Sequence, residues 1–191
     1  MKKISLLLLL VVSFSLVLSG CIITDDGDDY ERKEFKSKET FNQIIVSAES
    51  ADVLFQYSDD KEVSVKYPES STKQVYDISV SNGVLEIKKT RSTESVDDSS
   101  LVISLPDKEY EEISANTTNG DIIFENISST VYRANTENGD IKGTIQGNSV
   151  DYLCVVSVEN GDSTLENNAI TSTKIIEFDV KNGNVEVEFM Q

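Results

Sequence analysis

The chain has 191 residues, with 34 acidic and 17 basic side chains, no His and no Trp, and a net charge of −17. Nucleic-acid binding needs a basic patch, so this acidity argues against a nucleic-acid partner. Lack of His removes the commonest general base and metal ligand, and with them any Ser–His or Cys–His pair.

The chain opens with Lys2 and Lys3, then an apolar run from Leu6 to Leu18, then Leu18-Ser19-Gly20-Cys21. The run is too short for a comfortable membrane span and reads as a signal-peptide core. Leu-Ser-Gly-Cys resembles a bacterial lipobox. Residues 1–20 are therefore expected to be a lipoprotein signal peptide, with Cys21 the acylated, palmitate-bearing first residue of the mature chain. That anchors the protein to the extracytoplasmic face of the cell membrane without spanning it. Loss of Lys2 and Lys3 leaves 15 basic against 34 acidic residues, or −19. Cys154 is left without a partner, so no disulfide framework is expected. Residues 21–40, charged and without apolar periodicity, are expected to be an acidic flexible tether.

The domain is placed at 41–191. Alternating Val, Ile, Thr, Phe and Tyr dominate it, which predicts an all-β fold. Asn-Gly recurs at Asn82-Gly83, Asn119-Gly120, Asn138-Gly139, Asn160-Gly161 and Asn182-Gly183. Apolar residues stand before and after each at matching offsets, as in Ile113-Ala115, Ile122-Phe124 and Ile176-Phe178-Val180, Val185-Val187. A degenerate sixth unit has Ala51 in the glycine slot and Asp52 after it. Further strands are predicted at 62–67 and 101–106, with a polar loop over 88–100.

Two architectures fit. Asn-Gly between alternating strands is a strong hairpin signal, which favours an antiparallel β-sandwich of hairpins. Alternatively, about six strand–turn–strand units stack as the coils of a β-solenoid, with Asn-Gly at each corner. In-phase apolar columns favour the solenoid, because stacked coils put equivalent residues above one another about 4.8 Å apart.

The segment LPDKEYEEISANTTNGDIIFENI, Leu105 to Ile127, with the strand–Asn-Gly–strand units after it, resembles the bacterial putative-adhesin family of β-strand repeat proteins, a domain of unknown function. The resemblance spans about 41–190 and is best from Leu101 onward. It implies a right-handed, single-stranded β-helix-like stack, often carried on a membrane anchor in envelope proteins, and it brings no catalytic residues. The chain departs from the pattern at Gly83, followed by Val84 in place of Asp, and at Ala51.

The five glycines are read as turn residues needing positive φ. The five asparagines are read as one amide ladder. Asp121, Asp140 and Asp162 follow glycine and form a carboxylate column. It is read as turn residues bonding their own backbone, with a Ca²⁺ ladder at these three as the competing reading. Arg133 points outward and is read as a solvated face, against a role in polysaccharide cleavage. Cys154 shares an apolar column and is read as core, not nucleophile. Sequons at Asn116 and Asn126 are read as chance. No catalytic residue and no cofactor is expected. The expected function is a non-catalytic cell-envelope adhesion or binding module facing an envelope polymer or protein. The alternative is a regulatory or scaffolding part of an envelope-stress system. The last strand, Val185 to Phe189, is expected to be an edge that needs covering.

Overall fold

The structure is a computed structural model that describes residues 30–70, 74–90 and 100–190. It is all-β, apart from one 3₁₀ turn at Ser149–Asp151. The strands are β1 (Tyr30–Ser37), β2 (Gln43–Ser47), β3 (Val53–Ser58), β4 (Val63–Ser70), β5 (Tyr76–Ser81), β6 (Val84–Lys89) and β7 (Leu101–Pro106). They continue with β8 (Glu109–Asn119), β9 (Ile122–Asn138), β10 (Ile141–Gln146), β11 (Tyr152–Asn160), β12 (Lys174–Asn182) and β13 (Val185–Met190). The first strand is a correction to the expected tether: Tyr30–Ser37 pairs antiparallel with β4 along its whole length. Its sequence hides this because only Tyr30, Phe35 and Ser37 are even partly covered.

Two faces enclose the core. Sheet I runs β1-β4-β7-β3-β9-β10-β13, and sheet II runs β5-β6-β2-β8-β9-β12-β11. They share β9, whose first part lies in sheet I and whose second part lies in sheet II. The chain bends between them at Asn126, where φ is 57°. There the register with β10 slips, so that Glu125 faces Thr144 and Ile127 faces Ile145. The extra residue is a β-bulge, and a bulge turns a strand out of its sheet.

Each coil is a sheet II strand, a corner and a sheet I strand, in parallel register with the coils beside it. Equivalent side chains therefore form columns. Ile44, Ile113, Tyr132, Ile176 and Cys154 align on sheet II. Leu101, Val53, Ile122, Ile141 and Val185 align on sheet I. Nearly all are fully buried. Phe124 stacks between Phe55, with ring centres 5.4 Å apart, and Phe178 at 5.9 Å. Burial of each such ring is worth about 1.5–3 kcal/mol. Opposite the glycine corners, buried tyrosines tie the chain down. Tyr110 donates to Pro106 O (2.9 Å), Tyr132 to Ile127 O (2.7 Å) and Tyr152 to Ser129 O (2.9 Å). Burial pushes all three phenols up, so they remain donors.

Spatial order differs from chain order. The coils run β6–β7, β2–β3, β8–β9, β9–β10, β12–β13, and last β11 with Ser163. Two coils are thus inserted between earlier neighbours, and antiparallel strands β5, β4 and β1 flank the first coil. The unit expected around Asn82-Gly83 is a correction. Those residues close the antiparallel β5–β6 hairpin, and β6 runs instead through residues 90–100 into β7. The fold thus mixes the two predicted architectures, with stacked parallel coils in the middle and hairpin pairing at one end.

The last strand is not the end of the stack. β13 lies against β10, and its other edge is partly met by residues 163–164. Thr164 N donates to Val185 O (2.8 Å), and Val187 N donates to Thr164 Oγ1 (3.1 Å). On the β11 edge, Asn167 takes Val156 N and gives to Val156 O, while Asn168 takes Cys154 N and gives to Tyr152 O. Side-chain amides stand in for a missing strand, which blunts an edge that would otherwise template aggregation.

Candidate functional site

The most regular polar constellation in the molecule is the stack of corners that joins sheet II to sheet I. It contains Ala51-Asp52, Gly120-Asp121, Gly139-Asp140, Gly183-Asn184 and Gly161-Asp162, in that spatial order. Parallel strands on both sides bring these pairs to one coil spacing, so the corner backbones almost touch. A Cβ placed on Gly120 would lie 2.3 Å from Ala51 O; on Gly139, 2.1 Å from Gly120 O; on Gly183, 2.0 Å from Gly139 O. Each of these glycines also has φ near +150°. Ala51, in the same slot, is not among the residues with positive φ, so its methyl carries no such strain.

Three sets of bonds zip the corners together. Asn138 donates to Asn119 Oδ1 (3.0 Å), Asn182 to Asn138 Oδ1 (2.9 Å) and Asn160 to Asn182 Oδ1 (3.0 Å), while Asn119 reaches Ser50 Oγ (3.4 Å). Asn82 lies outside this ladder, in the β5–β6 hairpin, which corrects the expectation of five rungs. In the second set, the side chains of Asp52, Asp121, Asp140 and Asn184 each accept the backbone N–H of the next coil. Asp52 takes Asp121 N, Asp121 takes Asp140 N, Asp140 takes Asn184 N, all at 2.8 Å, and Asn184 takes Asp162 N at 3.0 Å. In the third, Thr117 Oγ donates to Ala51 O (3.1 Å) and Thr136 Oγ to Gly120 O (3.0 Å). Asp52, Asp121 and Asp140 therefore serve the neighbouring coil, which corrects the expectation that Asp121 and Asp140 bond their own turn.

The carboxylate column also has a cation. Lys142 Nζ lies 2.5 Å from Asp121 Oδ2 and 4.0 Å from Asp140 Oδ2. Burial raises the Asp121 pKa, but the Asp140 N–H and the Lys142 ammonium outweigh it and hold the carboxyl below its ordinary value. One Asp121 oxygen goes to backbone and the other to lysine, so Ca²⁺ would have to displace both. Among the described residues, no three His, Cys, Asp or Glu side chains converge on a point that could hold a metal. The ladder reading of Asp121, Asp140 and Asp162 as Ca²⁺ ligands has no such geometry behind it.

Other predicted residues lie apart. Arg133, on the outer face of sheet II, is held between Glu112, Nε to Oε1 3.2 Å, and Glu177. Cys154 is buried, and burial pushes its thiol up, away from the nucleophilic thiolate. Of the sequons, Asn116 lies exposed on β8, and Asn126 is the bulge residue. Cys21 lies outside the described residues.

Sequence reasoning missed Lys142, Ser50 and the two threonines. Lys142 was legible in principle, two residues beyond Asp140 and on the same outward side. Ser50 and the threonines gain meaning only when the coils are stacked. The result is a rigid β-coil scaffold whose conspicuous polar motif is its own mortar.

The whole domain fits one family model. Residues 41–191 match the Toastrack DUF4097 model, and the chain belongs to that family. No curated protein matches the sequence. Among solved structures, the fold resembles a putative cell adhesion protein from Clostridium sporogenes, at TM-score 0.52 and 11% identity, over 85% of this chain and 100% of that one. It is also similar to a putative adhesin from Bacteroides fragilis, at TM-score 0.43 and 12% identity, over 83% and 97%. A third is a putative lipid binding protein from Parabacteroides distasonis, at TM-score 0.46 and 18% identity, over 84% and 63%. At these identities the likeness speaks to fold.

Proposed function

We propose that the protein is a lipid-anchored, extracytoplasmic binding module of the cell envelope, without catalytic activity. The observation that carries the reading is the commitment of the corner's polar groups to neighbouring coils. The outer face of sheet II presents the exposed side chains of Asn116, Asn135 and Asp179 in register on adjacent strands. A flat array at fixed spacing suits a polymer or a protein surface better than a small molecule, which needs a concave site. The cell-adhesion description of the Clostridium sporogenes protein supports the same reading. In this proposal the coils wind right-handed, the sense that right-twisted strands prefer for parallel crossovers.

A soluble domain beginning at residue 30, so that β1 is kept, is expected to bind intact cells or purified envelope polymer. Asn135→Arg with Asp179→Arg is expected to abolish that binding while leaving the fold unchanged. If the domain binds nothing and deletion instead alters envelope-stress signalling, the scaffolding alternative replaces this one. Palmitate labelling tests the anchor: wild type is expected to take up label, and equal labelling of Cys21→Ala would refute it.

A further inference from the structure

The five Asn-Gly pairs share one local chemistry but not one environment. Asn-Gly is the dipeptide most prone to lose its side-chain amide, because glycine leaves the following nitrogen unhindered. All five asparagines are exposed to solvent, so exposure does not rank them. Hydrogen bonding does. The reaction needs a mobile amide carbon and a free glycine nitrogen. At three corners both are held. The Asn119, Asn138 and Asn182 amides sit in the ladder, and the glycine N–H groups donate to the next coil: Gly120 to Asn138 O (2.9 Å), Gly139 to Asn182 O (3.1 Å) and Gly183 to Asn160 O (3.0 Å).

The hairpin tip differs at both atoms. Among the described residues, the Asn82 amide has no hydrogen-bond partner and the Gly83 N–H has no acceptor. Only Gly83 O is engaged, accepting from Asn42 N (2.9 Å) and Gln43 N (3.2 Å). That carbonyl takes no part in ring closure. Nothing packs within 4 Å of where a Gly83 Cβ would stand, so the tip has room to rearrange.

We propose that Asn82 is a site of spontaneous deamidation, and that the corner ladder protects Asn119, Asn138 and Asn182. The Gly83 nitrogen gives its proton to solvent base and attacks Asn82 Cγ. The N–Cγ bond forms, the Cγ–Nδ2 bond breaks, and Nδ2 takes up a proton and leaves as ammonia. Water then opens the five-membered imide at either carbonyl, which leaves aspartate or isoaspartate at position 82. The corners reach this geometry only by local opening that breaks amide and backbone bonds between coils.

The test follows the purified full chain, held in mild detergent at mildly alkaline pH, by peptide mapping over time. Native protein is expected to convert Asn82 at least tenfold faster than Asn119, Asn138 or Asn182. In concentrated urea, where the ladder is gone, the four rates are expected to converge. A native ratio below tenfold overturns the proposal. So does a ratio that persists in urea, since local sequence would then explain it.

Discussion

The same dipeptide builds two different turns in this molecule. At Asn82-Gly83 both residues have moderate positive φ, 51° and 80°, and the chain folds straight back as an antiparallel hairpin. At the corners the glycine φ is near +150°, and the chain swings from one sheet to the other with parallel neighbours above and below. Local sequence marks the difference with one residue. Asp or Asn follows every corner glycine, whereas Val84 follows Gly83. The acidic side chain is useful only where a second coil offers a backbone N–H to it. The comparison teaches that a turn motif reports the local bend, while the residue beside it reports whether anything is stacked there.

Alanine at the two kinds of glycine should separate them most. Gly139→Ala combines an unfavourable φ with a Cβ driven onto the Gly120 carbonyl. A loss of about 4 kcal/mol is expected from strain plus overpacking. Gly83→Ala meets no atom and should lose only about 1 kcal/mol, for its φ alone. Urea midpoints measured on both variants decide it, and equal losses would break the distinction.

The amide ladder gives a smaller contrast. Asn138→Ala removes an inner rung, leaving Asn119 Oδ1 to water and the Asn182 amide with only the Glu137 carbonyl. We expect a loss of about 1–2 kcal/mol. Asn82→Gly, which suits the hairpin geometry equally well, should stay within about 0.5 kcal/mol of wild type.

Charge in the acidic column can be isolated because Asn184 already does the same work without charge. Asp121→Asn keeps an oxygen for the Asp140 N–H and loses only the attraction to Lys142. The Asp121 carboxyl is depressed in the folded state. Its stabilisation is therefore complete above the unfolded value, about 3.9, and vanishes as pH falls through the lower folded value. The variant should be less stable than wild type by about 0.5–1 kcal/mol at neutral pH. That gap should close in acid below the unfolded value, as thermal melts across the range would reveal. A gap unchanged in acid would show that geometry, not charge, matters there.

Arg133→Ala should change least. Its bonds to Glu112 and Glu177 lie on the outer face with the arginine 43% exposed, and such pairs are worth about 1 kcal/mol at most. A larger loss would mean that sheet II depends on its outer charges.

Much of this was legible beforehand. Period-two patterning placed the strands from Gln43 onward, and in-phase glycines announced four corners. Ala51-Asp52 was recognisable as a fifth despite its missing glycine. Strand β1 was not legible, because an edge strand covered on so little of one side carries charge where a central strand carries apolar residues. The order of the coils was not legible either. Similar units fit almost equally well above or below one another, and only closure of the ends decides which neighbour each one takes.

The chain by itself determined that this is an all-β protein of repeated strand–corner–strand units, because alternation and turn chemistry are local properties. It also determined the inward columns, since a period of two leaves no choice of face. Tertiary structure alone decided that Asn82-Gly83 is a hairpin, that β12 and β13 slip between older neighbours, and that Asp52, Asp121 and Asp140 bond the next coil. Those outcomes depend on which backbone lies 5 Å away across a parallel ladder, a distance that no stretch of sequence encodes.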